Sequence, residues 1–190
     1  VDAETPDNRT GLMMAAAHNK FDCVRRLLAA YSNINAQAVD DMTALHEAAL
    51  HGHAECLQFL IDSRADIDVT DENAWTPLMW AAREGHSDCV RRLLAADADI
   101  DAEDYCSWTA LHHAAITART DCIQLLVDAN ADVEAVDIDG YTALMIVAAR
   151  CESHEALQLV INRMLEVAES DGARLWHQVW SPGSDAEFDS

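Results

Sequence analysis

The sequence predicts an all-α solenoid of stacked helix-turn-helix units, and three observations predict it. Five Thr-led segments, TGLM at Thr10, TALH at Thr43, TPLM at Thr76, TALH at Thr109 and TALM at Thr142, follow one another at intervals of 33 residues. Four cysteines, Cys23, Cys56, Cys89 and Cys122, keep the same interval. Each unit also carries two short runs whose apolar residues recur at helical spacing. A fixed period of this length marks a chain in which each unit buries its face only against the next.

Within a unit the elements follow in order. Thr is a good N-cap, and Pro77 stands at the first helical position of its unit, where its missing N–H costs nothing. Small pairs, Ala48-Ala49 and Ala81-Ala82, let helices approach closely. The Gly52-His53 and Gly85-His86 dipeptides end the first helix, because glycine readily takes a left-handed cap conformation. A second helix places Cys56, Leu57, Leu60 and Ile61, or Cys89, Val90, Leu93 and Leu94, along one face. An extended piece, such as ADIDAEDYCSW, then leads to the next Thr.

Composition narrows the function. The 190 residues, 51% hydrophobic, support a sizeable core, and no apolar run approaches the roughly 18 residues that span a bilayer. A formal charge of -22 with a single lysine, Lys20, argues against nucleic acid, whose phosphates need cations, and favours a cationic protein or peptide partner. The periodic cysteines read as reduced, buried thiols, since equivalent places on neighbouring stacked helices lie too far apart to bridge, which places the chain in the cytoplasm or nucleus. Asp97, Asp99 and Asp101 mimic the start of a calcium loop, but Ala102 and Trp108 occupy the places of its obligatory Gly and Glu. Cys106 with His112 or His113 is a weak enzyme or zinc candidate, because no paired C-x-x-C accompanies it. The reading is therefore non-enzymatic, with no metal and no cofactor.

These segments resemble the ankyrin repeat, whose pattern runs roughly D-x-x-G-x-T-P-L-H-x-A-A-x-x-G-H, then an apolar helix, then G-A-D-V-N-A. The resemblance covers about residues 1 to 165 and implies β-hairpin-like fingers between repeats, with His46 and His112 as structural hydrogen-bonding residues. It assigns residues 1–172 to a repeat domain and 173–190 to an apolar patch and acidic tail. The opening VDAETPDNRT aligns with the tail of a repeat, so a longer array upstream is expected, with this chain a monomeric domain of it. Gly140 alone keeps the finger glycine; Asn8, Asp41, Ala74 and Ser107 replace it, and the third and fourth turns are expected to differ in shape. One extra residue is expected around Arg150 to Ser153, and a capping helix through Leu157, Val160, Ile161, Met164, Leu165 and Ala168. Leu175, Trp176 and Trp180 are expected to cover the last repeat.

The period creates two informative columns. The residue before each Thr is Arg9, Met42, Trp75, Trp108 or Tyr141, and the residue four after it is Met14, Glu47, Trp80, His113 or Ile146. The ankyrin resemblance implies that both columns face the concave side, so that Trp75, Trp80, Trp108, His113 and Tyr141 form an aromatic strip. Asp71, Glu72, Asp104 and Asp137 would frame it from the fingers, with Tyr105 and Ile138 near the tips and Glu47 and Glu84 as further acids. Such a face suits Lys or Arg side chains over indole rings. The competing reading makes the large residues covers for their own fingers and the acids a solubility device. The stretch WTPLMWAA is also similar to the ankyrin domain of a class of histone lysine methyltransferases, in which two tryptophans at this spacing help cage methylated lysine. Trp75 and Trp80 match, whereas Arg83 and His113 stand where that family has an acid and a further Trp. TPLMWAA is similar, too, to ankyrin proteins that grip short Pro- and Leu-containing peptides. A purely structural spacer is the remaining alternative.

Overall fold

A computed structural model describes residues 5–150 together with residues 158, 161 and 162. The first helices of successive repeats are α1 (Gly11–Ala17), α3 (Ala44–Leu50), α5 (Pro77–Glu84), α7 (Ala110–Ile116) and α9 (Ala143–Arg150). The second helices are α2 (Phe21–Ala29), α4 (Ala54–Asp62), α6 (Ser87–Ala95) and α8 (Thr120–Asp128). First helices pack side by side in one layer and second helices in another, and α1, α3, α5 and α7 each pair with the following second helix across the layers.

Each first helix begins where the sequence places it. Thr43 and Thr109 sit in extended conformation before α3 and α7, and their backbone N–H groups donate to Nδ1 of His46 and His112 at 3.2 Å. Where the unit has methionine instead, Met13 and Met79 accept the same N–H through Sδ at 3.3 and 3.4 Å. The far nitrogen of His46 donates to the Trp75 carbonyl at 3.0 Å, and that of His112 to the Tyr141 carbonyl at 3.2 Å. One ring thus caps its own helix and grips the following finger. Burial holds the His46 imidazole below its ordinary pKa, so it serves as this neutral donor and acceptor.

Glycine is required at the inter-helix loops. Gly52 and Gly85 have φ of 71° and 84°, and an added Cβ would lie 2.5 Å from the His86 ring and 2.7 Å from Arg119. His53 and His86 then donate from Nε2 to the carbonyls of Ala17 and Leu50 in the preceding repeat, both at 3.0 Å. Leu12, Leu45, Leu78 and Leu111 repeat through the core with the alanine pairs.

The cysteine column needs one correction. Cys56, Cys89 and Cys122 are buried and unpaired, and burial raises the thiols of Cys89 and Cys122 to about 12 and about 11. Cys23 on α2 is exposed. The column faces the preceding repeat, as the 3.4 Å contact from Cys56 to Asn19 shows, and among the described residues no complete repeat precedes that of α1 and α2.

The fingers are tight turns more than hairpins: the one strand-type pairing among the described residues is the bridge between Val136 and Thr142. Their shape is also more uniform than expected. Asn8, Asp41, Ala74, Ser107 and Gly140 all have φ between 57° and 80°. Ala74 and Ser107 therefore take the left-handed turn at a steric cost, because the neighbouring fingers fix it through the bonds from Glu72 N to the Asp40 carbonyl and Ile138 N to the Cys106 carbonyl. No described helix is long and apolar enough to cross a membrane. The expected loop at 151–153, the terminal apolar stripe other than Ile161, and Leu175, Trp176 and Trp180 lie outside the described residues.

Candidate functional site

The finger aspartates organise the site from beneath. Asp71 Oδ1 accepts the backbone N–H groups of Asn73 and Trp75 at 2.8 and 2.9 Å, and Oδ2 accepts the Trp80 indole N–H at 3.0 Å. Asp104 repeats the pattern with the N–H groups of Cys106 and Trp108, and its Oδ2 accepts from His113 Nε2 at 3.1 Å. Asp137 binds the N–H groups of Asp139 and Tyr141, but residue 146 is isoleucine, so its Oδ2 takes the Trp108 indole at 3.0 Å. Burial would raise the Asp137 carboxyl, yet the two amides and the indole outweigh it and hold it below the ordinary carboxylate value.

All three aspartates are buried, at 5, 9 and 7% exposure. Their place is therefore internal, under the aromatic strip, and not on its rim as the sequence suggested. The signal was present in the sequence: an Asp followed at the second and fourth residues by the amides of a tight turn is an Asx-turn pattern.

Above the aspartates lies a continuous ladder of rings. The Trp75 centroid is 4.5 Å from that of Trp80 and 4.0 Å from that of His113, and Trp108 meets His113 at 5.2 Å, edge to face. The three tryptophans are half-buried against the core, and His113 is 1% exposed. Each of the three packs on the core and keeps part of its surface exposed. Tyr141 is 54% exposed and has no ring contact among the described residues. Burial pushes the His113 imidazole down to about 4 against the pull of Asp104, so at neutral pH it donates from Nε2, and its Nδ1 has no hydrogen-bond partner among the described residues.

Between the third and fourth fingers the ladder opens into a cleft of about 470 Å³, lined by Asn73, Trp75, Arg83, Asp104, Tyr105, Cys106, Trp108 and His113. Arg83 was weighed in the sequence only as a substitute for an acid. Its guanidinium carbon stands 4.9 Å from the Trp75 ring centroid, a cation–π contact, and its Nε is 3.9 Å from Glu84. Glu72 and Tyr105 stand exposed on neighbouring finger tips. Among the described residues no group of three His, Cys, Asp or Glu side chains is placed to hold a metal ion.

The first two repeats fill the same columns differently. Glu47, 2% exposed, pairs with Arg9 of the preceding repeat, which also reaches Asp40 at 3.2 Å. His51 approaches the second Glu47 oxygen at 3.5 Å. Burial raises the Glu47 carboxyl, and the Arg9 charge opposes it. Glu47 is thus remote from Trp75 in role and belongs to a separate ion cluster.

The comparison with curated proteins found no match. A family model described as ankyrin repeats (3 copies) matches residues 12–104, 63–137 and 101–171, which together take in most of the chain. With the threonine-capped first helices, the two-layer stack and the uniform finger turns, this match settles the family: the chain belongs to the ankyrin-repeat proteins.

Proposed function

We propose that this domain is a non-enzymatic scaffold that binds a basic, extended protein segment on the concave side of its third to fifth repeats. Ankyrin repeats are in general protein–protein interaction modules. The observation that carries the finer reading is the ring ladder of Trp80, Trp75, His113 and Trp108 beside an open cleft, with Tyr105 76% exposed at its edge. Half-buried aromatic faces held from below by saturated carboxylates are rigid, so a ligand loses little by ordering them. Exposed acids of the third to fifth fingers, Glu72, Glu103 and Asp139, suit basic residues of the same segment. The methylated-lysine alternative is less well supported, because Arg83 already occupies the Trp75 face that a ligand cation would use.

Fluorescence anisotropy with labelled, extended Lys- and Arg-rich dodecamers tests the reading. Trp75→Ala and Trp108→Ala are expected to weaken binding about tenfold or more, in the range of an interface hot spot. Failure of every such peptide to bind would leave the array as a spacer, and wild-type affinity in both variants would place the ligand away from the tryptophans.

A further inference from the structure

We propose that the cleft between the third and fourth fingers reads a carboxylate, an Asp or Glu side chain set within the otherwise basic bound segment, and that Arg83 is the residue that reads it. The inference rests on the concave-face reading above and names the anchor that face selects.

The cleft offers one uncommitted charge, that of Arg83. Arg83 lies over the Trp75 ring, its guanidinium carbon 4.9 Å from the centroid, and its side chain remains 40% exposed. It donates no hydrogen bond to any described residue, and its one ionic neighbour, Glu84, is at the 3.9 Å limit of a salt bridge. A planar fork of N–H groups placed over the ring and left unspent matches a carboxylate in a bidentate pair. Of the other polar groups that line the cleft, the Asn73 carboxamide and the Tyr105 hydroxyl stand on exposed residues and are free to donate.

The charged acceptor, by contrast, is used up. Asp104, the only carboxylate of the lining, is 9% exposed and already accepts the Cys106 amide, the Trp108 amide and His113 Nε2. The indole N–H groups of Trp80 and Trp108 point inward to Asp71 and Asp137. A ligand ammonium in the cleft would meet no unspent carboxylate, would lie against Arg83, and would compete with it for the Trp75 face. A ligand carboxylate would complete the fork. The chain's net charge of -22 still repels a wholly acidic peptide at long range, so the complementary ligand is basic along its length with one acid at the cleft.

The test is a selection from a library of nonapeptides, acetylated and amidated so that no terminus supplies a carboxylate, with Lys at the flanking places and three central places randomised. Wild-type protein is expected to enrich Asp or Glu at one central place. Replacing that acid by its amide in the selected peptide should weaken binding tenfold or more, and Arg83→Met should cost a similar factor. In the Arg83→Met protein the acid-to-amide change should then have little further effect, because the two changes remove one interaction. Arg83→Lys, which keeps the charge and loses the fork, should fall between, and Arg91→Met on α6 should bind as wild type. Thermal unfolding of each variant checks that the fold is retained. Selected peptides that are basic without a central acid, or an acid-to-amide loss that persists in full in Arg83→Met, would overturn the inference while leaving the groove reading in place. A selection that enriches no peptide at all overturns both.

Discussion

In the second repeat the place four residues beyond the threonine holds Glu47, tied to Arg9 of the repeat before; in the third and fourth the same place holds Trp80 and His113, tied to Asp71 and Asp104 of their own fingers. The backbones are alike, so the difference is chemical. Its origin is one residue: Ala38 occupies the place of Asp71 and Asp104 and has no carboxylate to accept a donor. Asp40 takes over part of the turn, accepting the Met42 amide at 3.3 Å, and Glu47 turns to Arg9 instead. Where the finger carries an aspartate, an aromatic N–H donor stands above it and the ring faces the groove. Where it does not, a charge cluster fills the column. The period sets the scaffold, and one finger residue sets what the groove can hold.

The comparison breaks most visibly at Asp104. Asp104→Ala removes the acceptor of two backbone amides and of His113, and should cost about 3 kcal/mol of stability, since each orphaned buried donor costs roughly 1–3 kcal/mol. A loss below 1 kcal/mol in chemical denaturation would show that the aspartate does not hold the ladder.

Acid should act on the aromatic half next. The folded pKa of His113, about 4, lies below the ordinary imidazole value of 6.5, so the folded protein binds fewer protons than the unfolded chain between those values. Stability is then fully present above pH 6.5 and is lost as pH falls toward 4; His46, lowered by burial, acts in the same direction, whereas Glu47, raised by burial, opposes it. The His113→Gln variant should show a shallower fall across that window. An unchanged slope would place the proton uptake elsewhere.

Arg9→Ala probes the charged half and should cost less, about 1–2 kcal/mol, because Glu47 loses its main partner but can protonate, and Arg9 is itself 31% exposed. If that loss equals the Asp104→Ala loss, the two halves are held with equal strength. Smallest is Ala74→Gly, which relieves a left-handed alanine and should raise stability by about 0.5–1 kcal/mol. A decrease would mean that Ala74 is not strained by its φ of 63°.

Much of the fold was legible, because a repeated sequence states its own register. Thr43, His46, Gly52 and Cys56 recur in step with their equivalents, and each recurrence fixes the start, cap, stop or buried face of a helix. The site was legible only in part. Trp75, Trp80, Trp108 and His113 do come together, since one column period carries them along the stack. The burial of Asp71, Asp104 and Asp137 was missed because an aspartate in a turn reads first as surface charge, and only its spacing to the turn amides shows otherwise. Arg83 over Trp75 and Arg9 against Glu47 join places 8 and 38 residues apart, and neither spacing is a multiple of the repeat. Such pairs depend on side-chain direction, which the period does not encode.

The central claim is that the aromatic half of the groove, and not the charged half, receives the partner. NMR titration of the isotope-labelled domain with a selected basic peptide tests it most directly, by following the indole N–H signals and the backbone amides together. The account predicts shifts at Asn73, Trp75, Arg83, Tyr105 and Trp108, with the signals of Arg9, Glu47 and His51 unmoved. Shifts centred on Arg9 and Glu47, or spread over the second helices with the cleft silent, would contradict it.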